Sequence, residues 1–117
     1  MATHTNRNFN IVRGDTISWD LTIKKDGVAL NITGYKFYLT CKTLKADADP
    51  GLFQITVTSH TDAVNGRTLV EVPAATTDGI SEGLKYYDLQ MKDGSGKITT
   101  VMIGTMTFMN DITRTVA

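Results

Sequence analysis

The sequence predicts an all-β domain built as a sandwich of two packed sheets. The chain is rich in threonine, isoleucine and valine, whose branched side chains favour strands. Odd-numbered residues from Ile17 to Ile23 are apolar and the residues between them are polar, as in a strand with one buried face. Near the end of the chain, the turn Asp93-Gly94-Ser95-Gly96 separates two long strand-rich runs, which predicts a β-hairpin.

The same patterns place about seven strands along the chain, with each boundary set to within about two to four residues. Between them lie glycine, asparagine and aspartate residues that tolerate the backbone angles of tight turns. The predicted strands are Asn8 to Val12, Thr16 to Lys24, Tyr35 to Thr43, Leu52 to Ser59, Arg67 to Val72, Gly83 to Lys92 and Lys97 to Met109.

One segment, Pro73 to Ser81, has too few strand-forming residues and begins with a proline that suits the first turn of a short helix. We therefore expect a crossover with a helical turn between the fifth and sixth strands. Such a link carries the chain from one sheet to the other, so the expected fold is an immunoglobulin-like β-sandwich of about seven antiparallel strands with one short helical crossover.

Length and charge restrict the organisation and the partners. A chain of 117 residues has room for one domain with a substantial core, which we place at residues 8–117 behind a flexible N-terminal tail of residues 1–7. Its 12 basic and 12 acidic side chains cancel, so no net positive field draws it to phosphates. We therefore expect no binding to nucleic acid.

The cysteine content and the hydropathy pattern indicate where the chain folds. Cys41 is the single cysteine and lies in an apolar run, which predicts a buried thiol in the core. The polar N-terminus lacks the apolar segment of a signal peptide, and no run reaches the ~18 apolar residues of a membrane span. We expect folding in a cytoplasm and no membrane insertion.

The aromatic residues have two interpretations. Alternation places Tyr35, Phe37, Leu39 and Cys41 on one face of a strand, and Trp19 on the apolar face of another, as the two inner faces of a sandwich require. The alternative is an exposed platform, formed by Trp19 and the tyrosines, on which a sugar ring stacks. The core interpretation is favoured because aromatic side chains dominate such cores.

Residues able to support catalysis or metal binding are sparse. His4 and His60 have no partner at a spacing typical of zinc or hydrolase sites. Asp47 and Asp49 lie in a predicted turn that lacks the glycine position and terminal glutamate of an EF-hand calcium loop. We therefore expect no enzymatic activity, no metal and no cofactor, whereas an enzyme would need a cleft with titratable groups of shifted pKa near His60 or Asp88.

Asp88 and Gln90 are polar residues in the middle of a predicted central strand, on the same face. Either that face is solvated, or these groups bond to a neighbouring chain. The sequence leaves both possibilities open.

The order and spacing of the motifs resemble those of small bacteriophage and prophage proteins. The opening is similar to that of the N-terminal immunoglobulin-like domain of phage baseplate upper proteins, and the resemblance covers nearly the whole chain. The residues that carry it are Phe9 to Thr16, Trp19 to Leu21, Asp26-Gly27, Leu30 to Tyr35, Gly83 to Gln90, Asp93-Gly94, Thr100, Gly104 and Asp111 to Arg114.

The resemblance implies a virion structural or assembly protein of the tail, neck or baseplate, assembled in the bacterial host cytoplasm. Its partners would be other phage structural proteins or copies of itself in a homo-oligomer. The baseplate relatives continue beyond this domain, whereas this sequence ends at Ala117, so we expect a small stand-alone component. The alternative is a phage-encoded module that binds a host carbohydrate or protein. The candidate interface residues are Asp88, Gln90, Asp111, Thr113 and Arg114.

Overall fold

The computed structural model describes residues 5–49 and 51–110. These residues form ten strands, a five-residue α-helix and a short 3₁₀ turn at Ala63–Asn65. The strands and the helix are β1 (Thr5–Asn6), β2 (Phe9–Val12), β3 (Ile17–Thr22), β4 (Lys24–Lys25), β5 (Val28–Ala29), β6 (Lys36–Lys42), β7 (Phe53–Val57), β8 (Arg67–Val72), α1 (Ala74–Asp78), β9 (Gly83–Lys92) and β10 (Ile98–Met109).

The large sheet contains six strands. Five of them follow the order β1-β10-β9-β6-β7, and the sixth, β2, also pairs with β10. The pairs β10–β9, β9–β6 and β6–β7 are antiparallel, so β9 and β6 lie in the centre and β7 forms one edge. A register shift between Thr100 and Met102 marks a bulge in β10. The small sheet consists of β3 and β8, paired antiparallel from Ile17 with Val72 to Thr22 with Arg67.

The core lies between the two sheets. Alternation along β9 turns Tyr87, Leu89 and Met91 inward, and the same pattern along β8 buries Val70 and Val72. Phe37, Leu39 and Cys41 of β6 complete the packed layer, each with no exposed surface. An all-β sandwich of this kind was predicted from the sequence, and the structure confirms it.

Cys41 belongs to this core, as predicted. Burial raises the pKa of its thiol to about 12 and outweighs the charge of Lys85, which lowers it. The side chain therefore acts as a small apolar residue at physiological pH.

The crossover between the sheets is also confirmed. Pro73 precedes α1 with extended backbone angles, and the helix ends near Gly79 before the chain enters β9. Thr77 is buried and donates a hydrogen bond to the main-chain oxygen of Asp15, 2.6 Å away. This bond ties the crossover to the turn between β2 and β3.

Each of the seven predicted strands is present, with end points that differ by no more than two residues. The structure adds the hairpin of β4 and β5 around Asp26-Gly27, where the sequence predicted only a turn. This hairpin has no buried residue, so no alternation of hydrophobicity marks it.

The structure of the N-terminal segment differs from the expectations in two details. Thr5 and Asn6, assigned to a flexible tail, form β1 and pair with Met102 and Ile103. Both β1 and β2 run parallel to β10, whereas antiparallel strands were expected throughout. The side chains of β1 are exposed, so its pairing depends on main-chain hydrogen bonds that leave no hydrophobic signal in the sequence. Residues 1–4 of the predicted tail lie outside the described residues.

The closing hairpin turns at Asp93, as predicted. One oxygen of its carboxylate accepts hydrogen bonds from the main-chain nitrogens of Ser95 and Lys97 and from the Ser95 hydroxyl. These bonds, led by the one from the Ser95 side chain, hold the pKa of Asp93 below its ordinary value. Among the described residues, no helix has the length and apolar character needed to cross a membrane.

Candidate functional site: the outer groove

The outward face of the large sheet contains a groove of about 490 Å³, here called the outer groove. It runs across the central strands, on the side of the sheet opposite the core. Its floor is formed by the following residues of β6, β9 and β10: Tyr38, Thr40, Tyr86, Asp88, Gln90 and Ile103.

Strand alternation explains why these side chains share one face. Because odd-numbered residues of β9 face the core, Tyr86, Asp88 and Gln90 must face outward. Register then places Asp88 directly between Thr40 of β6 and Ile103 of β10. Asp88 therefore lies at the centre of the sheet and of the groove.

Asp88 is half-buried there, and the hydrogen-bonding capacity of its carboxylate is largely unused. Its carboxylate accepts one long hydrogen bond, 3.4 Å from the Gln90 side-chain nitrogen. Burial raises the pKa of Asp88 above its ordinary value of 3.8 and is the largest influence, ahead of Lys42, which lowers it, and Asp49, which raises it. A carboxylate in this state gains from any donor or cation that enters the groove.

The polar neighbours of Asp88 are already engaged. Lys42 forms an ion pair with Asp49, with 2.7 Å between Nζ and Oδ1. The Gln54 amide donates to the Thr40 hydroxyl at 3.0 Å. These interactions hold one wall of the groove in a fixed arrangement.

Two tyrosines give the groove an aromatic character. Tyr38 and Tyr86 are both half-buried, and the ammonium of Lys45 lies 5.1 Å from the centre of the Tyr86 ring. Ile98 and Ile103 extend the apolar lining along β10. The groove thus combines aromatic and apolar side chains with two acidic and three basic groups, which suits binding of a polar or charged group carried on an apolar segment; the charged groups are Asp49, Asp88, Lys42, Lys45 and Lys92.

The structure brings together two of the five predicted interface residues. Asp88 and Gln90 lie side by side in the outer groove, as their spacing on one strand predicted. Asp111, Thr113 and Arg114 lie outside the described residues.

His60 lies apart from the groove in a structural role. Its Nε2 donates to the main-chain oxygen of Tyr35, and its Nδ1 accepts from the Thr68 hydroxyl, both at 2.8 Å. The ring also contacts Phe37 edge to face, with 5.5 Å between centroids. Both nitrogens are used in tying the loop to the core. Of His60 and Asp88, the two positions considered for a cleft, Asp88 is the one that lines the outer groove.

The segment from Asp47 to Asp49 lies in a turn, as predicted. Asp47 accepts a hydrogen bond from the main-chain nitrogen of Leu44. Gly14 adopts a left-handed conformation, with a φ of 83°, at the turn between β2 and β3. In the part of the chain that the structure describes, no three histidine, cysteine or carboxylate side chains cluster as metal ligands would.

The aromatic platform proposed as an alternative to a core is not formed by Trp19. Its ring stacks on Phe9 with 4.9 Å between centroids and also contacts the buried Tyr87. Tyr38 and Tyr86, which the platform interpretation included, line the groove, whereas the sequence reasoning missed Thr40 and Ile103. Alternation along β6 could have placed Tyr38 and Thr40 outward, but which strand lies beside Asp88 depends on sheet order, which no local pattern encodes.

No protein-family model matches the chain, and no curated protein matches it.

Proposed function

We propose that this chain is a non-enzymatic structural or assembly protein of a bacteriophage virion, in the tail, neck or baseplate, and that it acts through protein contacts at the outer groove. The observation that carries the proposal is the position of Asp88, a weakly satisfied carboxylate at the centre of an open sheet face. A face that is merely solvated has no need of a half-buried acid in a groove that is also lined by Tyr38 and Tyr86. Tyrosine is enriched at protein interfaces, and a central buried anchor is typical of them.

The edge of the large sheet also supports protein contacts. β7 forms this edge, and its ladder of described pairs runs to β6 alone. Its sequence, Phe-Gln-Ile-Thr-Val, contains neither a charge nor a proline, the usual protections of an exposed edge. An edge of this kind is a template for pairing with a strand of another chain.

The groove fits recognition better than proton transfer. Gln90, which donates to Asp88, and Thr40, which lies opposite it on β6, do not titrate near neutral pH. Asp49 is held by Lys42, so it is poorly placed to act as a second acid or base.

Mass spectrometry of virions purified from the bacterial host that encodes the chain tests this proposal. We expect peptides of the chain in intact particles, and their absence from particles would contradict the proposed function. Replacing the natural copy with an Asp88→Arg variant should lower its incorporation. The matched control Glu71→Arg reverses an exposed charge on β8, in the other sheet, and should leave incorporation unchanged.

A second candidate function is carbohydrate binding by a phage-encoded module. The groove has the volume of a small-ligand site, for which about 300 to 1,000 Å³ is usual, and places Tyr38 and Tyr86 beside amide and carboxylate groups. A glycan array should then show hits that an Asp88→Asn variant loses. An array with no hits removes this candidate and leaves the protein-contact proposal intact.

A further inference from the structure

The edge strand β7 leaves one side of its main chain unpaired. Among the described residues β7 pairs with β6 alone, from Phe37 with Val57 to Thr40 with Gln54. In this part of the chain no main-chain hydrogen bond outside that ladder involves Gln54 or Thr56, and both residues are exposed. The donors and acceptors on the open side of β7 are therefore available to a further strand.

The register shows which residues of β7 direct their main-chain groups to the open side. The main-chain oxygen of Cys41 accepts a hydrogen bond from the residue immediately before β7, so Cys41 directs its main-chain groups toward that strand. These directions alternate along a strand, so Leu39 also directs its groups toward β7, where its partner is Ile55. Ile55 therefore bonds to β6, whereas Gln54 and Thr56 direct their N–H and C=O groups to the open edge.

The sequence of β7 is symmetric in character about its central residue, Ile55. Phe53, Ile55 and Val57 are apolar and pack on the core side. Gln54 and Thr56 are polar and exposed, and no residue of the strand is charged. When two copies pair antiparallel about a two-fold axis at the central residue, apolar residues face apolar ones and polar residues face polar ones. A shift of one residue would set apolar residues opposite polar ones, so the strand complements a second copy of itself.

Such a pairing would satisfy the open main-chain groups and cover Ile55. Gln54 of each copy would lie opposite Thr56 of the other, and these two hydrogen-bonded pairs would exchange about four main-chain hydrogen bonds. Ile55 would face its counterpart in a non-hydrogen-bonded pair, where side chains approach most closely. Because Ile55 is only half-buried in the single chain, the contact would remove apolar surface from water. The formal net charge of the chain is zero, so two copies do not repel each other through their overall charge.

We infer that two copies of this chain join edge to edge through β7, antiparallel and centred on Ile55, so that their large sheets form one continuous sheet. This inference rests on the proposed function, which it deepens by naming the partner of the β7 edge. Both copies contribute the same strand to the contact, so it closes as a dimer.

The concentration dependence of the isolated wild-type protein tests the contact. Analytical ultracentrifugation up to about 1 mM should show a dimer, since a dissociation constant of even about 1 mM would place about half of the chains in dimers there. Amide hydrogen exchange measured by NMR should slow at Gln54 and Thr56 as the concentration rises, because their N–H groups gain partners. Ile55 is the internal control, because its N–H group bonds to β6 and should be protected at every concentration.

Thr56→Pro removes an N–H group that the single chain leaves unpaired. Proline is tolerated in an edge strand when its nitrogen faces solvent, so the variant should fold, which circular dichroism checks. The dimer would lose about two of its main-chain hydrogen bonds, so its dissociation constant should rise at least about tenfold.

Thr56→Lys is a second variant at the same position, because a lysine on an edge strand opposes pairing without any demand on the backbone. It should also weaken the dimer. Its matched control is Asn10→Lys, which adds the same charge at an exposed position of β2, in a part of the large sheet that the proposed contact does not use. This control should associate like the wild type.

Ile55→Cys tests the register of the two strands. In the proposed dimer the introduced cysteines face each other with their Cα atoms about 4.5 Å apart, a separation that a disulfide spans. Oxidised glutathione should therefore produce a disulfide-linked dimer. Gln54→Cys is the matched control and should crosslink poorly, because Gln54 lies opposite Thr56 of the second copy and not opposite its own counterpart. Cys41 is buried and does not compete.

A wild type that stays monomeric at the highest concentration would overturn the inference. A folded Thr56→Pro or Thr56→Lys variant that associates normally would also overturn it, as would equal crosslinking of Gln54→Cys and Ile55→Cys. None of these outcomes bears on whether the chain is present in virions, so the proposed function can stand when this inference fails.

Discussion

The hydroxyl of Tyr87 donates a hydrogen bond to the main-chain oxygen of Arg7, 2.8 Å away and 80 residues earlier in the chain. Tyr87 is buried in the centre of the sandwich, and burial raises the pKa of its hydroxyl to about 12. This bond joins the core to the N-terminal edge, at the point where β1 gives way to β2. The main-chain nitrogen of Arg7 in turn donates a hydrogen bond to the main-chain oxygen of Ile103.

Tyr87→Phe should therefore loosen the N-terminal edge while leaving the core packed. We expect a loss of about 1 kcal/mol in the free energy of unfolding, because the Arg7 oxygen loses its partner. Urea denaturation measures the loss, and hydrogen exchange should show faster exchange at the amide of Arg7. Unchanged exchange there would show that the bond does not hold the edge.

Gly104→Ala should displace the same edge by steric conflict. A Cβ atom at this position would collide with the main-chain oxygen of Arg7, which is backbone and cannot turn aside. Overpacking of this kind costs about 1 to 3 kcal/mol, so the melting temperature should fall. Gly94→Ala is the matched control, because its Cβ would meet nothing within 4 Å. Equal effects of the two substitutions would contradict the close approach of Arg7 to β10.

His60→Leu should destabilise the fold by about 1 to 3 kcal/mol, because it leaves the buried Thr68 hydroxyl without a partner. Thr68→Val removes the hydroxyl itself, so the double variant should lose less stability than the two single variants added together. Chemical denaturation of the four proteins measures this coupling. Strict additivity would contradict a structural role for the hydrogen bond.

The sequence supplied most of the fold because the strands are marked by local patterns. Phe37, Leu39 and Cys41 alternate with outward residues, and Asp93 begins a turn that its own side chain stabilises. These signals depend on residues close together in the chain. They could be recognised without knowing which strands become neighbours.

The missing parts depend on contacts between distant residues. β1 was overlooked because Thr5 and Asn6 are exposed and pair through main-chain bonds with β10, almost 100 residues later. The same limit applies to the site. Asp88 and Gln90 could be selected as candidate site residues because polar side chains in the middle of a central strand need an explanation. Tyr38, Thr40 and Ile103 could not be selected in this way, because they lie near Asp88 and Gln90 only as a result of the strand order in the sheet.

Asp88→Asn should change how stability depends on pH. The raised pKa means that the folded protein binds a proton at Asp88 more readily than the unfolded chain, so the ionised form disfavours folding. This effect is present above the raised pKa and fades as the pH falls toward 3.8, the ordinary value. Lys42 opposes it and Asp49 reinforces it.

The variant should therefore be more stable than the wild type at neutral pH, with the difference shrinking as the pH falls toward 3.8. Thermal melting across this range measures the difference. Ser18→Asn on the exposed face of β3 removes no titratable group and is a control that should show no such convergence. A variant that is less stable at neutral pH would contradict the desolvation of Asp88.

The central claim is that the outer groove contacts protein in the virion, and site-specific photo-crosslinking tests it most directly. A photoreactive residue replaces Gln90 in the groove or, as a control, Glu71 on the opposite sheet, and particles are irradiated before mass spectrometry. We expect crosslinks from position 90 to a virion protein, copies of this chain included, and few from position 71. Particles that contain the chain but show no crosslink from position 90 would contradict the claim.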